Sequence, residues 1–263
     1  MVFYVDGACL YWYNYPCEVI VPRFLSERSS RTLRIRGLQK LTLLDYPGRT
    51  ACTVFLEGCD FRCPFCHNWE LCGSGDPDGE IPEEDFYSFL KKRRNMLDGV
   101  CISGGEPLMS KDIVSFAERI KKIGYDIKID TNGSYPARLI SLVDAGLVDY
   151  TAVDIKNSKR KYAETSGAGE RELAEVEKTV RYLMEGNLDY EFRTTVVKEF
   201  HDQEDFEEIG QWIRGAKRYF LQMFKDRDSV MTAGLHPRSE ENMRSYLETV
   251  RKYVPSAKLR GEA

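Results

Sequence analysis

The sequence predicts an α/β fold built on a sheet of parallel strands. From about residue 34 onward, apolar, strand-like runs alternate with segments whose apolar residues recur every three or four positions. Strands that alternate with helices in this way form βαβ crossover units, which place neighbouring strands parallel. Glycine and proline fall at the joints between these segments rather than inside them.

Six strands are predicted in this part of the chain. They cover residues 51–58, 99–103, 126–130, 148–155, 190–197 and 218–222. Eight strand–helix units would make a complete barrel, so six indicate an open or partial barrel. A doubly wound sheet fits the same periodicity equally well, and the pattern alone leaves both architectures open.

Helical spacing is clearest in three segments. The first carries Ile113, Ala117 and Ile120, with Ser110 as the expected N-cap and Gly124 as the end of the helix. The second and third are marked by the apolar residues Leu173, Val176, Val180 and Leu183, and by Met243, Leu247 and Val250. The third segment predicts a C-terminal helix over about 239–254.

The length of 263 residues suits one large α/β domain with a full core. Residues 1–33 are aromatic at their start and then polar, without a sustained period, and are predicted to form an N-terminal extension of unknown role. The domain is expected to cover 34–263, with its motif-bearing core at about 50–225.

Composition narrows the function. A net charge of -4 gives no general attraction to nucleic acid or to anionic membranes. No apolar run approaches the ~18 residues of a membrane span, and no secretory signal begins the chain, so a cytoplasmic location is expected. In that reducing compartment eight cysteines do not suit a disulfide framework. Clustered cysteines are therefore expected to bind a metal or to be catalytic.

Unusual residues fall at the ends of five successive predicted strands. They are a cysteine loop after the first strand, "SGGEP" (103–107) after the second, "DTNG" (130–133) at the third, "DIK" (154–156) at the fourth, and Arg193 within the fifth. The carboxyl ends of parallel strands carry the loops that form active sites. We therefore expect all five to meet at one mouth.

The cysteine loop has the order Cys-x3-Cys-x2-Cys, formed by Cys59, Cys63 and Cys66. A structural zinc site needs four ligands, and Cys72 or His67 could complete such a set. Three thiolates in a short loop also suit an iron–sulfur cluster with one iron left open to another ligand. The spacing favours the cluster, with zinc as the alternative.

The cysteine spacing followed by a Gly-Gly-Glu segment resembles the radical S-adenosylmethionine superfamily. "CPFCHN", "SGGEP", "DTNG" and "DIK" together resemble its branch of glycyl-radical-enzyme activases. Residues 35–71 are similar to the family of anaerobic ribonucleoside-triphosphate reductase activating proteins. The resemblance covers about 34–225 and implies a partial (βα)6 barrel of parallel strands.

The resemblance also implies the ligands of two cofactors. Cys59, Cys63 and Cys66 would hold a [4Fe-4S] cluster whose fourth iron binds S-adenosylmethionine. Further contacts to S-adenosylmethionine would come from Ser103, Gly104, Gly105, Glu106, Asp130, Asn132, Asp154, Lys156 and Arg193. A monovalent cation is implied beside Asp130, Thr131 and Asp154, whose hard oxygen atoms suit such an ion.

The reaction implied by the resemblance is an oxidoreductase step with one electron. The reduced cluster cleaves S-adenosylmethionine, and the resulting 5′-deoxyadenosyl radical takes a hydrogen atom from a glycine of a partner enzyme. The partner would be anaerobic ribonucleotide reductase, and reduced flavodoxin or ferredoxin would donate the electron. No catalytic side chain is implied beyond the cofactors, since the cofactors carry the chemistry. No membrane or direct nucleic-acid partner is implied.

Two other functions remain open from the sequence. One is a radical enzyme that acts on a small molecule or a nucleic acid, and the other is a non-catalytic metal-binding module. One segment departs from the family: activases of the formate-lyase type carry a tyrosine–histidine pair after the sixth strand, where this chain has "LQMFKD" (221–226). Contacts to the cofactor from this strand are therefore not implied.

Overall fold

The computed structural model describes residues 33–73, 79–226 and 230–260, with the backbone of two short antiparallel strands, β1 (Phe3–Val5) and β2 (Ala8–Leu10). The predicted extension covers 1–33, and apart from these two strands its residues up to 32 lie outside the described residues, so its role and the domain boundary stay predictions. None of the helices in the described ranges is long and apolar enough to cross a membrane.

Eight strands form the main sheet. They are β3 (Ile35–Thr42), β4 (Ala51–Leu56), β5 (Gly99–Gly104), β6 (Asp126–Thr131), β7 (Tyr150–Asp154), β8 (Asp189–Val196), β9 (Tyr219–Met223) and β10 (Lys258–Arg260). Their spatial order follows their order in the chain. β3 pairs antiparallel with β4, and every other neighbouring pair is parallel.

The strand order distinguishes the two architectures left open by the sequence. A doubly wound sheet reverses its order at a switch point, whereas the strands here follow one another in a single direction. The fold is therefore the partial barrel, and the six predicted parallel strands are confirmed as β4 to β9. Two strands of the main sheet were not predicted: β3, whose inner residues are half-buried or exposed, and β10, which has only three residues.

Seven α-helices are described. They are α1 (Glu83–Lys92), α2 (Ile113–Ile123), α3 (Pro136–Asp144), α4 (Tyr162–Ser166), α5 (Glu170–Glu185), α6 (Gln203–Trp212) and α7 (Glu240–Arg251). Short 3-10 helices cover Trp69–Cys72, Pro107–Met109 and Lys159–Lys161. The three predicted helices are confirmed as α2, α5 and α7.

The predicted N-cap of α2 is wrong. Ser110 ends the 3-10 helix Pro107–Met109, and its hydroxyl oxygen accepts a hydrogen bond from the backbone N–H of Asp112 at 3.2 Å. The extra turn moves the helix start, so that Asp112 occupies the N-cap position without a side-chain cap. The predicted end is correct, because Gly124 adopts a φ of 106°, a left-handed conformation that suits glycine.

Buried residues of α6 and α7, the crossover helices that precede β9 and β10, belong to the same core as the strands. Phe206 of α6 stacks on Tyr246 of α7 with ring centroids 4.5 Å apart. Both rings are buried. This aromatic pair fixes α7 against the domain, which matters because α7 lines a groove beside the site described below.

Replacing Tyr246 with alanine is expected to lower the free energy of unfolding by about 3–5 kcal/mol, because the deletion leaves a cavity beside Phe206. Tyr246→Phe keeps the stacked ring and should cost far less. Urea unfolding of the cofactor-free protein measures both values. Equal stability of the two variants would show that the ring contact contributes nothing.

Candidate active site

A cavity of about 190 Å³ opens at the carboxyl ends of the parallel strands. Its lining residues come from every strand-end motif singled out in the sequence. They are Cys59, Phe61, Cys63, Phe65, Cys66, His67, Asn68, Cys72, Ser103, Gly104, Gly105, Asp130, Thr131, Asn132, Asp154, Lys156, Arg193 and Thr195. The strand-end motifs therefore meet at one cavity, as expected. Glu106 is the one predicted site residue that does not line it.

The cysteine loop leaves β4 through Gly58, which adopts a φ of 98°. The Gly58 N–H donates to the Leu71 carbonyl at 2.6 Å, so the loop closes on the 3-10 helix that ends at Cys72. A left-handed backbone conformation is costly for residues with a β-carbon, which explains glycine at position 58. The loop is thus a compact turn with its cysteines facing the cavity.

Four thiols, not three, meet at this loop. The Cys72 thiol lies within hydrogen-bonding reach of the sulfur atoms of Cys59 and Cys66. The thiol of Cys63 points instead toward the Ser166 carbonyl oxygen, 3.6 Å away. Within the described ranges no set of three or more Cys, His, Asp or Glu side chains already has metal-binding geometry.

Neighbouring charges and hydrogen bonds separate the acidities of these thiols. A hydrogen bond from Cys72 lowers the pKa of Cys66 to about 6, despite the opposing effect of burial. Burial raises the pKa of Cys63 to about 12, while the Lys156 ammonium acts in the opposite direction. Thiolates are the metal-binding form of cysteine, so Lys156 favours that form at both Cys63 and Cys66.

Gly105 lets two loops touch through their backbones. A β-carbon at position 105 would fall inside van der Waals contact with the carbonyl group of Gly58. A hydrogen bond joins the same two loops, because the Glu106 N–H donates to the Gly58 carbonyl oxygen at 2.7 Å. Gly105 of "SGGEP" is therefore required by the packing of the cysteine loop on this segment.

Glu106 is buried behind the cavity, 1% exposed, and its carboxylate is fully engaged by the protein. One oxygen accepts from the Leu108 N–H at 3.0 Å and the Thr131 hydroxyl at 2.8 Å, and the other accepts from the Asn132 N–H at 2.6 Å. Burial, with a smaller effect of Asp60, raises the pKa of Glu106 to about 8. Glu106 thus joins the "SGGEP" and "DTNG" segments.

Asn132 continues this network toward the cysteines. Its side-chain amide donates to Asp60 at 2.8 Å and lies 3.9 Å from the Cys59 sulfur atom. Its side-chain oxygen accepts from the N–H and the hydroxyl of Ser134. The side chain is therefore held in a fixed orientation at the cavity wall.

Five charged side chains form an alternating chain, and four of them line the floor of the cavity. Lys128 contacts Asp130, and the other oxygen of Asp130 accepts from Arg193 at 3.3 Å. Arg193 donates to Asp154 at 2.9 Å, and the second oxygen of Asp154 accepts from Lys156 at 3.0 Å. Arg193 lies opposite Asp154 in the β7–β8 register, which explains why these two strand-end motifs meet.

The charges in this chain stabilise one another. Although burial opposes the ionisation of Asp154, Arg193 and Lys156 hold its pKa below the ordinary range. Burial likewise opposes the ionisation of Asp130, and Arg193 and Lys128 lower its pKa. Both carboxylates are therefore ionised at neutral pH. Three cations against two anions leave the chain with a net charge of +1.

The predicted cation ligands are otherwise engaged. The four carboxylate oxygens of Asp130 and Asp154 face ammonium or guanidinium groups, as just described. The Thr131 hydroxyl donates to Glu106 and accepts from the Gly133 N–H at 3.0 Å. These three residues line one cavity, but they do not form a set of oxygen atoms open to an ion.

The contacts of His67 indicate a packing role against the segment after β9. Its ring lies 5.4 Å from that of Phe224, and its Nε2 atom is 2.7 Å from the Lys225 carbonyl oxygen. The segment after the sixth parallel strand lacks the family's tyrosine–histidine pair, and it contacts the cysteine loop through Phe224. His201 and His236 do not line the cavity.

Four lining residues were missed by sequence reasoning: Phe61, Phe65, Asn68 and Thr195. Thr195 could have been found, because it lies two residues beyond Arg193 on β8 and so shares its face. The Asn68 amide donates to the Gly104 carbonyl oxygen at 3.4 Å, a contact that local sequence does not indicate.

A larger groove of about 1200 Å³ adjoins the cavity. The two share His67, Asn68 and Thr195. The groove is also lined by Asp45, after β3, by α7, and by Leu259 and Arg260 of β10. It therefore follows the open side of the partial barrel, between the first and last strands of the sheet.

The sequence profile of the radical SAM superfamily matches residues 53–213. This range contains the cysteine loop and every other strand-end motif of the cavity. The chain therefore belongs to the radical SAM superfamily and is an oxidoreductase-type enzyme of that class. A non-catalytic metal-binding module is thereby excluded.

Relatives narrow the class. The chain is 31% identical over 234 residues to a protein of Methanocaldococcus jannaschii named as a glycyl-radical enzyme activating enzyme, covering 86% of this chain and 95% of that one. This similarity places the chain among the glycyl-radical enzyme activating enzymes. The Escherichia coli anaerobic ribonucleoside-triphosphate reductase-activating protein is 29% identical over 121 residues, covering 41% of this chain and 77% of that protein.

Solved structures agree on the fold. Streptococcus suis SuiB bound to S-adenosylmethionine superposes with a TM-score of 0.62 at 18% identity, covering 78% of this chain and 48% of SuiB. The chain therefore spans about half the length of SuiB. Methylornithine synthase superposes with a TM-score of 0.52 at 13% identity, covering 80% of this chain and 63% of that enzyme.

Membership of the superfamily implies a [4Fe-4S] cluster and S-adenosylmethionine. The donor set fits the cluster, because soft thiol ligands are the ones that iron–sulfur clusters use and all the loop cysteines line one cavity. The cavity wall also offers the glycine backbone of 104–105 and charged groups of both signs to a zwitterionic ligand.

Gly105→Ala is expected to push the cysteine loop away from Gly58 and to lower the free energy of unfolding by about 1–3 kcal/mol, as overpacking does. The loop thiols should also react faster with a thiol reagent. Gly73→Ala is the matched control, because a β-carbon there meets no atom within 4 Å. Similar thiol reactivity in the two variants would contradict the loop contact.

Glu106 should make stability depend on pH. Because its pKa is about 8 in the folded protein and about 4.3 in an unfolded chain, the native state holds the extra proton between these values. Stability should therefore fall as the pH rises from 5 to 8, by up to about 1.4 kcal/mol per pH unit from this group. Glu106→Gln resembles the protonated form and should lose that slope in urea unfolding of the cofactor-free protein. Parallel pH curves would disprove the assignment.

Proposed function

We propose that this chain activates anaerobic ribonucleoside-triphosphate reductase by generating a glycyl radical on it. The observation that carries the proposal is the convergence of the three loop cysteines and the four other strand-end motifs on one cavity. The similarity to the Escherichia coli activating protein supports this partner. The cytoplasmic location stays a prediction from the sequence.

Cys59, Cys63 and Cys66 hold the [4Fe-4S] cluster in this proposal. S-adenosylmethionine bound beside the reduced cluster would supply the radical chemistry that removes the α-hydrogen atom from the partner's glycine. Cys72 is assigned no iron, which leaves the open iron position to S-adenosylmethionine. Lys156 lies where its charge favours the thiolate forms of Cys63 and Cys66.

The residues proposed to bind S-adenosylmethionine fall into two groups. Ser103, Gly104, Gly105 and Asn132 offer polar and backbone groups beside the cysteine loop. The charged chain offers Lys156 and Arg193, and its net charge of +1 suits the single carboxylate of the ligand. Glu106 acts indirectly, since its carboxylate is occupied by three hydrogen bonds within the protein.

The adjoining groove supports a macromolecular substrate. It is about six times as large as the cavity, 1200 against 190 Å³, and it opens at the side of the barrel rather than at its axis. A backbone loop carrying a glycine can approach the cavity through this opening, between His67 and Thr195. Reduced flavodoxin or ferredoxin is the proposed electron donor, on the basis of the family resemblance.

The test compares the intact protein with two cysteine variants after anaerobic reconstitution with iron and sulfide. Reduction with dithionite in the presence of S-adenosylmethionine should yield 5′-deoxyadenosine. Cys63→Ala should lose bound iron and fall to background, whereas Cys72→Ala should keep both. Equal losses in the two variants would favour a four-cysteine metal site and contradict the proposed ligand set.

Partner identity needs a separate measurement. Mixing the reconstituted protein with purified anaerobic ribonucleotide reductase should produce a glycyl radical signal in electron paramagnetic resonance. Mutation of the partner's radical glycine to alanine is the control and should abolish the signal. Formation of 5′-deoxyadenosine without any radical on the reductase would remove this partner, and leave a small-molecule or nucleic-acid substrate as the alternative.

A further inference from the structure

Lys128 is a charged residue outside the strand-end motifs, and no contact with S-adenosylmethionine is assigned to it. It lies on β6 two residues before Asp130, so both side chains point to the same face of the strand, inside the barrel. Its side chain is only 1% exposed. Its ammonium group contacts one Asp130 oxygen and lies 3.8 Å from the Cys101 sulfur atom.

A buried ammonium is costly unless an opposite charge compensates it. Asp130 is the one carboxylate with which Lys128 forms an ion pair among the described residues. The same Asp130 was expected to bind a monovalent cation together with Thr131 and Asp154. The positive charge of Lys128 therefore lies beside an Asp130 oxygen atom that was expected to bind the cation.

The other atoms of the expected cation site are engaged in the same way. Arg193 bridges Asp130 and Asp154, with distances of 3.3 and 2.9 Å. Lys156 takes the remaining oxygen of Asp154 at 3.0 Å. A metal cation would add one more positive charge to this buried chain, and within the described ranges no further carboxylate forms an ion pair with its three cations.

We propose that the Lys128 ammonium takes the place of the monovalent cation beside Asp130, so that this protein binds S-adenosylmethionine without Na⁺ or K⁺. The inference rests on the proposed function, in which the charged chain faces the carboxylate of S-adenosylmethionine. Lys128 is a positioning residue: it acts through Asp130, which in turn orients Arg193. Lys128 itself is behind Asp130 and does not line the cavity.

The experiment measures S-adenosylmethionine binding to the reconstituted protein by equilibrium dialysis in Na⁺, K⁺ or tetramethylammonium salts of equal ionic strength. Tetramethylammonium carries the same charge but is too large to bind beside Asp130. The intact protein should show the same Kd in all three salts. Weaker binding in tetramethylammonium alone would overturn the proposal, and this arm requires no variant to fold.

Lys128→Ala removes the ammonium and leaves space for an ion. Its binding of S-adenosylmethionine in tetramethylammonium should be at least about tenfold weaker than that of the intact protein, and K⁺ or Na⁺ should restore part of the loss, as expected for two coupled sites. Lys122→Ala, at an exposed position of α2, is the control and should resemble the intact protein. An unchanged Kd for Lys128→Ala in tetramethylammonium would also overturn the proposal.

A second readout separates this inference from the proposed function. The thermal midpoint of the cofactor-free Lys128→Ala protein should rise by several degrees in K⁺ or Na⁺ relative to tetramethylammonium, while that of the intact protein should not. Failure of the intact protein to bind S-adenosylmethionine in any salt would refute the proposed function. The thermal midpoints would then still test the role of Lys128. A midpoint of Lys128→Ala that does not depend on the salt would disprove the proposed role.

Discussion

The contacts of Glu106 are the constraint on which the cavity depends. Its backbone N–H binds the Gly58 carbonyl of the cysteine loop, and its carboxylate binds Thr131 and Asn132 of the neighbouring strand end. Three loops that follow three different strands are thereby fixed relative to one another. A carboxyl group without hydrogen-bond partners would be too costly at this depth, so the three donors and the burial explain each other.

The charged floor of the cavity follows from strand register. Parallel pairing sets Arg193 opposite Asp154, and the two-residue period of β6 sets Lys128 on the same face as Asp130. In this alternating row each carboxylate has a cation on either side, and Arg193 has a carboxylate on either side. Such a row is rigid, because moving any one member would leave another charge without its partner.

The sequence predicted the parallel strands, the principal helices and the membership of the cavity, since each depends on a local period or on a residue at a strand end. It did not predict β3 and β10, which have little burial to mark them. Nor did it predict that Glu106 lies behind the cavity or that Lys128 pairs with Asp130. The contacts of Glu106 depend on which side chains meet across the barrel, and the pattern of a single strand carries no information about such contacts, whereas the two-residue spacing of Lys128 and Asp130 on β6 is visible in the sequence.

The cavity and the groove at the open side of the barrel are lined mainly by different parts of the chain. The superfamily match ends at residue 213, and the groove is lined mainly by residues from Gln222 onward, including those of α7 and β10. The cavity and the adjoining groove are thus formed mainly by different segments of the chain. In the proposed function, substitutions in the last forty or so residues would alter which molecule is admitted while the radical chemistry is retained, so substrate range would diverge independently of the reaction.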